Sequence, residues 1–429
     1  MNILVVAYYW PPAGGPGVQR WLNLSNELAA RGHDITVIVP TNPSYPIIDQ
    51  ELVSQVHGSI KVHKVSTREP LGWAKKLLGK QGSHVQQGSI PKQKDQTLLT
   101  KFALWVRGNF FVPDARVGWV TPVVTFVKGH LDPSSFDWLI TTGPPHSTHL
   151  VGLQLQGGGW KWCADFRDPW TQIGYHKQLK IGRTAQTKHE RLEREVLQKA
   201  NLVLTTTDAT TASLNQIAEG RSKIRTLTNG YKAVKPPQKS SSEIFTISHV
   251  GSLYADRDPV VLWRALQQLT LGSINAKGNM NNPGSAQGIK LQLVGYVSPE
   301  VLASITQHAP NLNVEVVGYV SQEAATRFMY AADLLLLIEA YDVDRAMILP
   351  GKVFQYLPTG NPIIAFGPEG SAIEQLLAET AAGKFYTYDT KQVVDLIASS
   401  GKETKDRRQK AMQKYAWPAL AARLDEMLQ

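Results

Sequence analysis

Short runs of apolar residues, each closed by glycine or proline, recur along the chain and alternate with longer amphipathic stretches. The first run, residues 3–7 (Ile-Leu-Val-Val-Ala), predicts a buried parallel strand. A Gly/Pro loop at 11–17 follows, then a helical pattern over 18–31, then Gly32-His33 and a second apolar run at 35–39. That order predicts a βαβ unit with a glycine-rich first turn, the signature of a doubly wound sheet. Further strand-like runs stand at 138–141, 160–164 and 202–205, and the clearest helical pattern between them covers 187–199. Pro, Ser and Lys then crowd residues 231–243, a linker composition. Beyond it the alternation restarts, with strands expected at 245–250, 290–294, 314–317, 334–338 and 362–365 and a helix at 259–269. A Gly/Asn/Ser-rich segment at 272–288 reads as a surface loop. The last helix, expected over 407–428, aligns Tyr415, Trp417, Leu420 and Leu424 on roughly one face, which should pack back across the domain junction. The pattern carries no short repeat. It predicts two Rossmann-like domains, 1–232 joined by the terminal helix 407–429, and 243–406.

Composition sharpens this. A chain of 429 residues is too long for one ordinary core, so two domains are expected. Hydrophobic content of 42% and aromatic content of 8% exclude a disordered chain. Lys and Arg exceed Asp and Glu by 45 − 35 = 10, which favours anionic partners. The single cysteine, Cys163, excludes an internal disulfide, fits a reducing, cytoplasmic setting, and reads as a small core residue. The apolar N-terminus lacks a basic leader and stops at Pro11-Pro12, so it reads as a strand and not a signal peptide. No run reaches the roughly 20 apolar residues of a membrane span, so a soluble or peripherally bound protein is expected. Between residues 68 and 119, Lys75, Lys76, Lys80, Lys92, Lys94, Lys101 and Arg107 interleave with Trp73, Phe102, Trp105, Phe110 and Phe111. This mixture suits docking on an anionic membrane surface, or is a solvated excursion from the sheet. No nucleic-acid module is visible, so no nucleic-acid partner is expected.

The richest stretch chemically is 350–365. Its first half, Pro350-Gly351-Lys352-Val353-Phe354-Gln355, reads as a loop opening a short helix with a lysine at its start. Its second half, Gly360-Asn361-Pro362, leads into an apolar strand. A helix N-terminus beside a lysine makes an anion site; the alternative is an ordinary helix start with a solvated lysine. Gly14 to Gly17 admit close backbone approach to a phosphate or sugar, or form a plain βα turn. They do not spell G-x-G-x-x-G, so no nicotinamide cofactor is implied. Gly251-Ser252 repeats the arrangement after the first strand of the second half. Asp165, Arg167 and Asp168 close a strand, where doubly wound folds place ligand-binding side chains; an Asp–Arg salt bridge holding the loop is the equal alternative.

Several phrases then act together: Tyr8-Tyr9-Trp10-Pro11-Pro12 with Gly14-Gly15-Pro16-Gly17; Thr142-Gly143-Pro144-Pro145-His146-Ser147-Thr148-His149-Leu150; Ala164-Asp165-Phe166-Arg167-Asp168-Pro169-Trp170; Thr228-Asn229-Gly230-Tyr231; Val250-Gly251-Ser252-Leu253-Tyr254 with Arg257-Asp258-Pro259; and the 350–365 block. In this order and spacing the chain resembles, over nearly its whole length, the GT-B glycosyltransferases of the glycosyltransferase family 4-like group. The resemblance implies an α/β GT-B fold of two doubly wound Rossmann-like domains facing across a cleft. It implies a metal-independent hexosyltransferase that retains anomeric configuration, with no cofactor beyond its co-substrate, a UDP- or GDP-linked sugar. The donor would lie on the C-terminal half. A polysaccharide or lipid-linked acceptor would lie on the N-terminal half, at the inner face of the plasma membrane.

Transfer from a nucleotide diphosphate needs charge stabilisation on the departing group, and Arg257 and Lys352 are the candidate cations, although an arginine at a helix start is as often solvated. The remaining donor-side candidates are Gly15, Gly17, Gly251, Ser252, Tyr319 in the turn after Gly318, and Gln355. His149, His146 and Asp168 are the catalytic candidates, and Asp165 and Arg167 stand on the acceptor side. A histidine there contacts the sugar or its diphosphate, relays a proton, or is structural. One departure stands out. Many members of the group carry two glutamates eight residues apart, where this chain has Met347 and Gln355. Glutamine bonds a ribose hydroxyl only as a neutral group. Glu339, Asp342 and Asp344 stand just upstream and could substitute, although an acidic loop is usually only solvated. The rivals are therefore a nucleotide-sugar epimerase or hydrolase on the same fold, and a catalytically silent nucleotide-sugar or glycan binding protein.

Overall fold

The computed structural model describes residues 1–67, 98–172, 179–232, 244–275, 288–341, 346–390 and 410–429. They form two compact units, Met1–Thr228 with Trp417–Gln429, and Asn229–Ala416.

The first unit is built from β1 (Asn2–Val6), α1 (Pro16–Ala30), β2 (Asp34–Thr41), β3 (Lys61–Ser66), α2 (Leu98–Phe110), α3 (Val120–His130), β4 (Trp138–Gly143), α4 (Ser147–Leu155), β5 (Trp162–Phe166), α5 (Arg183–Lys199), β6 (Leu202–Thr205), α6 (Asp208–Ile217) and β7 (Ile224–Thr226). Its seven strands run parallel in the order β3-β2-β1-β4-β5-β6-β7. The interior strand β1 is apolar from Ile3 to Val6 because helices cover both faces of a parallel sheet. Ile3 and Val5 face one core with Trp21, Leu24 and Leu28 of α1, and Leu4 and Val6 face the other with Val123 and Val127 of α3.

The second unit comprises β8 (Phe245–Val250), α7 (Val260–Asn275), β9 (Ile289–Val294), α8 (Pro299–His308), β10 (Asn313–Gly318), α9 (Gln322–Ala331), β11 (Leu334–Ile338), α10 (Val353–Tyr356), β12 (Ile363–Gly367), α11 (Ala372–Thr380) and β13 (Gly383–Thr387). Its six strands are also parallel, in the order β10-β9-β8-β11-β12-β13. In each sheet the order reverses beside the first strand, between β1 and β4 and between β8 and β11. Chains leaving these neighbours at their carboxyl ends diverge to opposite faces, which opens a crevice for ligands. The doubly wound α/β class expected from the sequence is what both sheets display.

Some elements differ from the sequence expectation. The strand expected at 160–164 is β5, two residues later, because Trp160 packs on Phe136 ahead of the ladder. β3, β7 and β13 escaped the pattern: they are edge strands whose half-polar sequences (KVHKVS, IRT, GKFYT) carry no apolar run. The predicted single terminal helix breaks at Ala416. Tyr415 belongs to a core of the second unit, whereas α12 (Trp417–Leu428) places Trp417, Leu420, Leu424 and Leu428 against α1 in the first. Trp138 Nε1 donates to Leu428 O at 2.7 Å and closes that contact. Of the expected linker only Tyr231 and Lys232 are described, and residues 276–287 of the expected loop, together with Asp342 and Asp344, lie outside the described residues. Among the described residues, no helix is long and apolar enough to cross a membrane.

Candidate functional site

In the second unit the site is built on glycines at strand ends. β8 hands over to Gly251 at φ +134°, where a Cβ would stand 2.6 Å from Lys352 Cε and closer still to Nζ. Only glycine leaves room for that ammonium. Gly251 N donates to Val294 O (2.6 Å) and Gly295 N to Gly318 O (2.7 Å), so the turns after three adjacent strands are laced together. Lys352 immediately precedes α10, and Tyr356 at the other end of that helix accepts from Val250 N through its hydroxyl (2.9 Å). The helix is thereby fixed against the end of β8, and Lys352 with it.

Burial, and then the charge of Arg257, push the Lys352 pKa down to about 8. No carboxylate pairs with Lys352 among the described residues. Among the described residues Arg257, in the turn before α7, has only Asp256 as an ion-pair partner, at 3.7 Å, and its Nε makes no hydrogen bond. Two cations thus stand together at a switch point, with one carboxylate ion pair between them among the described residues. His249 beneath them is fully buried; its Nδ1 lies 3.0 Å from Leu336 O, and since a carbonyl only accepts, Nδ1 carries the proton. Burial, then the charge of Lys352, hold its pKa down to about 3, so it stays neutral.

The other donor-side candidates are placed as follows. Ser252 follows Gly251 and is partly exposed, Gln355 is exposed on α10, and Tyr319 is 94% exposed immediately after Gly318. Glu339 is buried at the end of β11, where it accepts from Ser371 Oγ at 2.6 Å.

In the first unit, Gly15 (φ +92°) precedes α1 and Gly17 lies in its first turn. Arg167 Nη1 donates to Gly17 O (2.6 Å) and its Nη2 to Pro144 O (2.7 Å), stapling the loops after β1 and β4. Asp165 is fully buried and takes Arg20 (Nη2, 2.7 Å), Trp21 Nε1 (2.7 Å) and Thr142 Oγ1 (2.9 Å). Burial pushes this carboxyl up, but Arg20 and the hydrogen bonds outweigh it and hold it below its ordinary range. Its acceptor capacity is used internally, and its salt-bridge partner is Arg20, not Arg167. Asp168 makes no hydrogen bond or ion pair among the described residues, and burial, opposed by Arg167, raises its pKa. It is the carboxylate of this loop with oxygens to spare.

His149 lies inside α4, not in a loop. Trp162 Nε1, a donor only, points at Thr141 Oγ1 (2.9 Å), so the Thr141 hydroxyl gives its own proton to His149 Nδ1 (2.9 Å). The imidazole proton therefore sits on Nε2, which has no partner among the described residues and faces the space where a Gly143 side chain would project, 2.6 Å away. Burial drives the pKa to about 3, which makes His149 a neutral donor and not a proton shuttle at working pH. His146 is buried and stacks on Trp170 (5.1 Å).

Sequence reasoning missed three residues that set this site. Asp114 accepts from Ser147 N and Oγ, both at 2.9 Å, and so fixes the start of α4. On α5, His189 accepts from Trp170 Nε1 (3.0 Å), and Glu193 accepts from Thr171 N (3.3 Å) and from the Thr171 hydroxyl. Together they hold the loop that carries Asp168. The His-x-x-x-Glu spacing of one helical face was the available signal. Among the described residues no group of three His, Cys, Asp or Glu could hold a metal ion.

Two parallel doubly wound units in one chain are the architecture of the GT-B fold. No protein-family model matches the chain, and no curated protein sequence matches it. Solved structures do. Sucrose-phosphate synthase from Thermosynechococcus elongatus is 16% identical, with a TM-score of 0.54 over 99% of this chain and 98% of that one. HepE from Anabaena, in complex with UDP and glucose, is 14% identical, with a TM-score of 0.56 over 100% and 99%. The lipopolysaccharide outer core galactosyltransferase WaaB is 10% identical, with a TM-score of 0.55 over 99% and 98%.

Proposed function

We propose that this chain is a glycosyltransferase that moves a sugar from a nucleotide diphosphate to a glycan or lipid-linked acceptor of the cell envelope. The observation that carries the reading is the Lys352 ammonium, without a counter-ion among the described residues and seated where Gly251 lacks a side chain, beside Arg257. Charge builds on the diphosphate as the glycosidic bond to it breaks, and preorganised cations lower that barrier without any metal. Unit 229–416 is then the donor unit, with Tyr319 beside the nucleobase and Gln355 bonding the ribose as a neutral group. Unit 1–228 takes the acceptor, where Asp168, which makes no hydrogen bond or ion pair among the described residues, is the group available to substrate hydroxyls. Anomeric configuration is retained. HepE holds UDP and glucose, so uridine nucleotides head the donor candidates.

The test is a thermal-shift screen against UDP, GDP, ADP and their common sugars, followed by turnover with and without EDTA. One nucleotide family should raise the melting temperature by mass action, and EDTA should leave turnover unchanged. Replacing Lys352 by Ala should weaken nucleoside diphosphate binding roughly 10- to 100-fold, the range of a charge-assisted contact. Equal affinity in the variant would remove Lys352 from the site. A second reading is favoured by Met347 and Gln355, which leave the two glutamate positions without carboxylates: a binding protein that takes the nucleotide sugar but turns nothing over. Stabilisation by a nucleotide sugar with no product across an acceptor panel would select it.

A further inference from the structure

We infer that α2, together with the segment 179–183 that packs on it, is a docking surface for an anionic lipid bilayer. The inference is independent of the reaction assigned above. The helix has the sequence LLTKFALWVRGNF, with two basic residues and no acidic one. Its inward face is Leu104 and Gly108; a Cβ on Gly108 would come within 2.9 Å of Leu179 O, so the helix lies flush on that segment. Its outward face carries Phe102, Trp105 and Phe110, which are 64%, 41% and 67% exposed. These rings form one continuous patch, with centroids 6.0 Å apart for Phe102–Trp105 and 5.7 Å for Trp105–Phe110.

Asn109 fixes the arrangement. Its Nδ2 donates to Trp105 O (2.8 Å) and Lys180 O (3.2 Å), and its Oδ1 accepts from Gly182 N (2.7 Å). Lys180 and Arg183 are thereby held beside the aromatic patch, both exposed, and residues 179–183 (LKIGR) contain no acid. Lys101 and Arg107 flank the patch on the helix itself.

Aromatic rings standing clear of the surface with cations around them fit the interfacial zone of a bilayer. The rings enter below the headgroups while long basic side chains reach the phosphates. The absence of acidic residues from both segments, in a chain of net charge +10, chooses an anionic lipid surface over a neutral one. Of the basic and aromatic stretch noted in the sequence, residues 68–97 lie outside the described residues, and the surface is assigned on α2 and 179–183 alone.

The test is flotation of the full-length protein with vesicles of phosphatidylcholine alone or with one-third phosphatidylglycerol. The wild type should float with the anionic vesicles, stay behind with the neutral ones, and be released as salt rises. The double variant Phe102→Ser/Phe110→Ser should lose about tenfold or more in partitioning, and Lys180→Ser/Arg183→Ser by a similar factor. Both pairs are exposed, so the melting temperature should stay within a few degrees of the wild type. Absence of wild-type binding to anionic vesicles would overturn the inference, as would undiminished binding of either variant. Sedimentation run in parallel gives the other outcome. A wild-type dimer that Phe102→Ser/Phe110→Ser converts to monomer, with no flotation, would make this face a contact between copies and sink the lipid assignment.

Discussion

Lys352 and Glu193 are both displaced from their ordinary pKa values by burial, in opposite directions and with opposite consequences. The Lys352 pKa of about 8 puts its titration within reach of ordinary buffers. A bound diphosphate favours the charged form, so affinity should be steady below pH 8 and fall above it, by up to about tenfold per pH unit. Titrating Kd from pH 6.5 to 9.5 in wild type and in Lys352→Ala would check this, since the variant should lose the slope. Glu193, with no cation among the groups that shift it, is pushed up to about 7. A carboxyl raised in the fold binds protons that the unfolded chain has already released, so it stabilises below the unfolded value and that stability is lost as pH rises through 7. The loss between pH 4.5 and 8 should be on the order of 3 kcal/mol, from the size of the displacement. Denaturant unfolding of Glu193→Gln should show a shallower fall over that window. An identical pH slope in the variant would show that Glu193 does not titrate there.

At the scale of elements, the site depends on how three strand-end turns interlock. Gly251→Ala would drive a methyl into the Lys352 ammonium and force a φ of +134° on a residue with a Cβ. Nucleotide affinity should drop roughly as far as in Lys352→Ala, and Gly251→Ala/Lys352→Ala should be no weaker than Lys352→Ala alone. Additive losses would mean that Gly251 acts on the ligand directly.

Here the limits of sequence reading become physical. The central strands were legible because a parallel strand covered on both faces must be apolar along its whole length, as Ile3 to Val6 and Leu334 to Ile338 are. The edge strands β3, β7 and β13 were not, because their half-polar sequences carry no apolar run, whereas the edge strand β10 was betrayed by Val314, Val316 and Val317. Within the site, the glycines and Lys352 stood out through their local phrase. The partners of Asp165 and Ser147 did not: Arg20 lies 145 residues from Asp165 and Asp114 lies 33 from Ser147, and periodicity carries no information over such separations. The tautomer of His149 was equally hidden, since it is set by Trp162 through Thr141, two strands of one sheet.

For the whole molecule, the decisive feature is that the chain leaves the first unit at Thr228, builds the second, and returns with α12. Trp417, Leu420, Ala421, Leu424 and Leu428 are all buried in the first unit. Large buried side chains are worth about 2–3 kcal/mol each, so their sum exceeds the roughly 5–15 kcal/mol that keeps a domain folded only at its lower end. A chain ended at Ala416 should therefore keep a protease-resistant second unit while the first is degraded or recovered insoluble. Resistance of both fragments in limited proteolysis would refute this.

That excursion also has a consequence during synthesis. The second unit is complete while the segment destined for α12 is still being made, whereas the first unit, begun earlier, lacks a wall of its core until residues 417–428 are read. At translation rates of roughly 5–20 residues per second, the 416 − 228 = 188 residues between departure and return take about 10–40 s. For that interval the nascent N-terminal half shows an open apolar seam along α1, a ready target for a holding chaperone. The half made first is thus the half finished last.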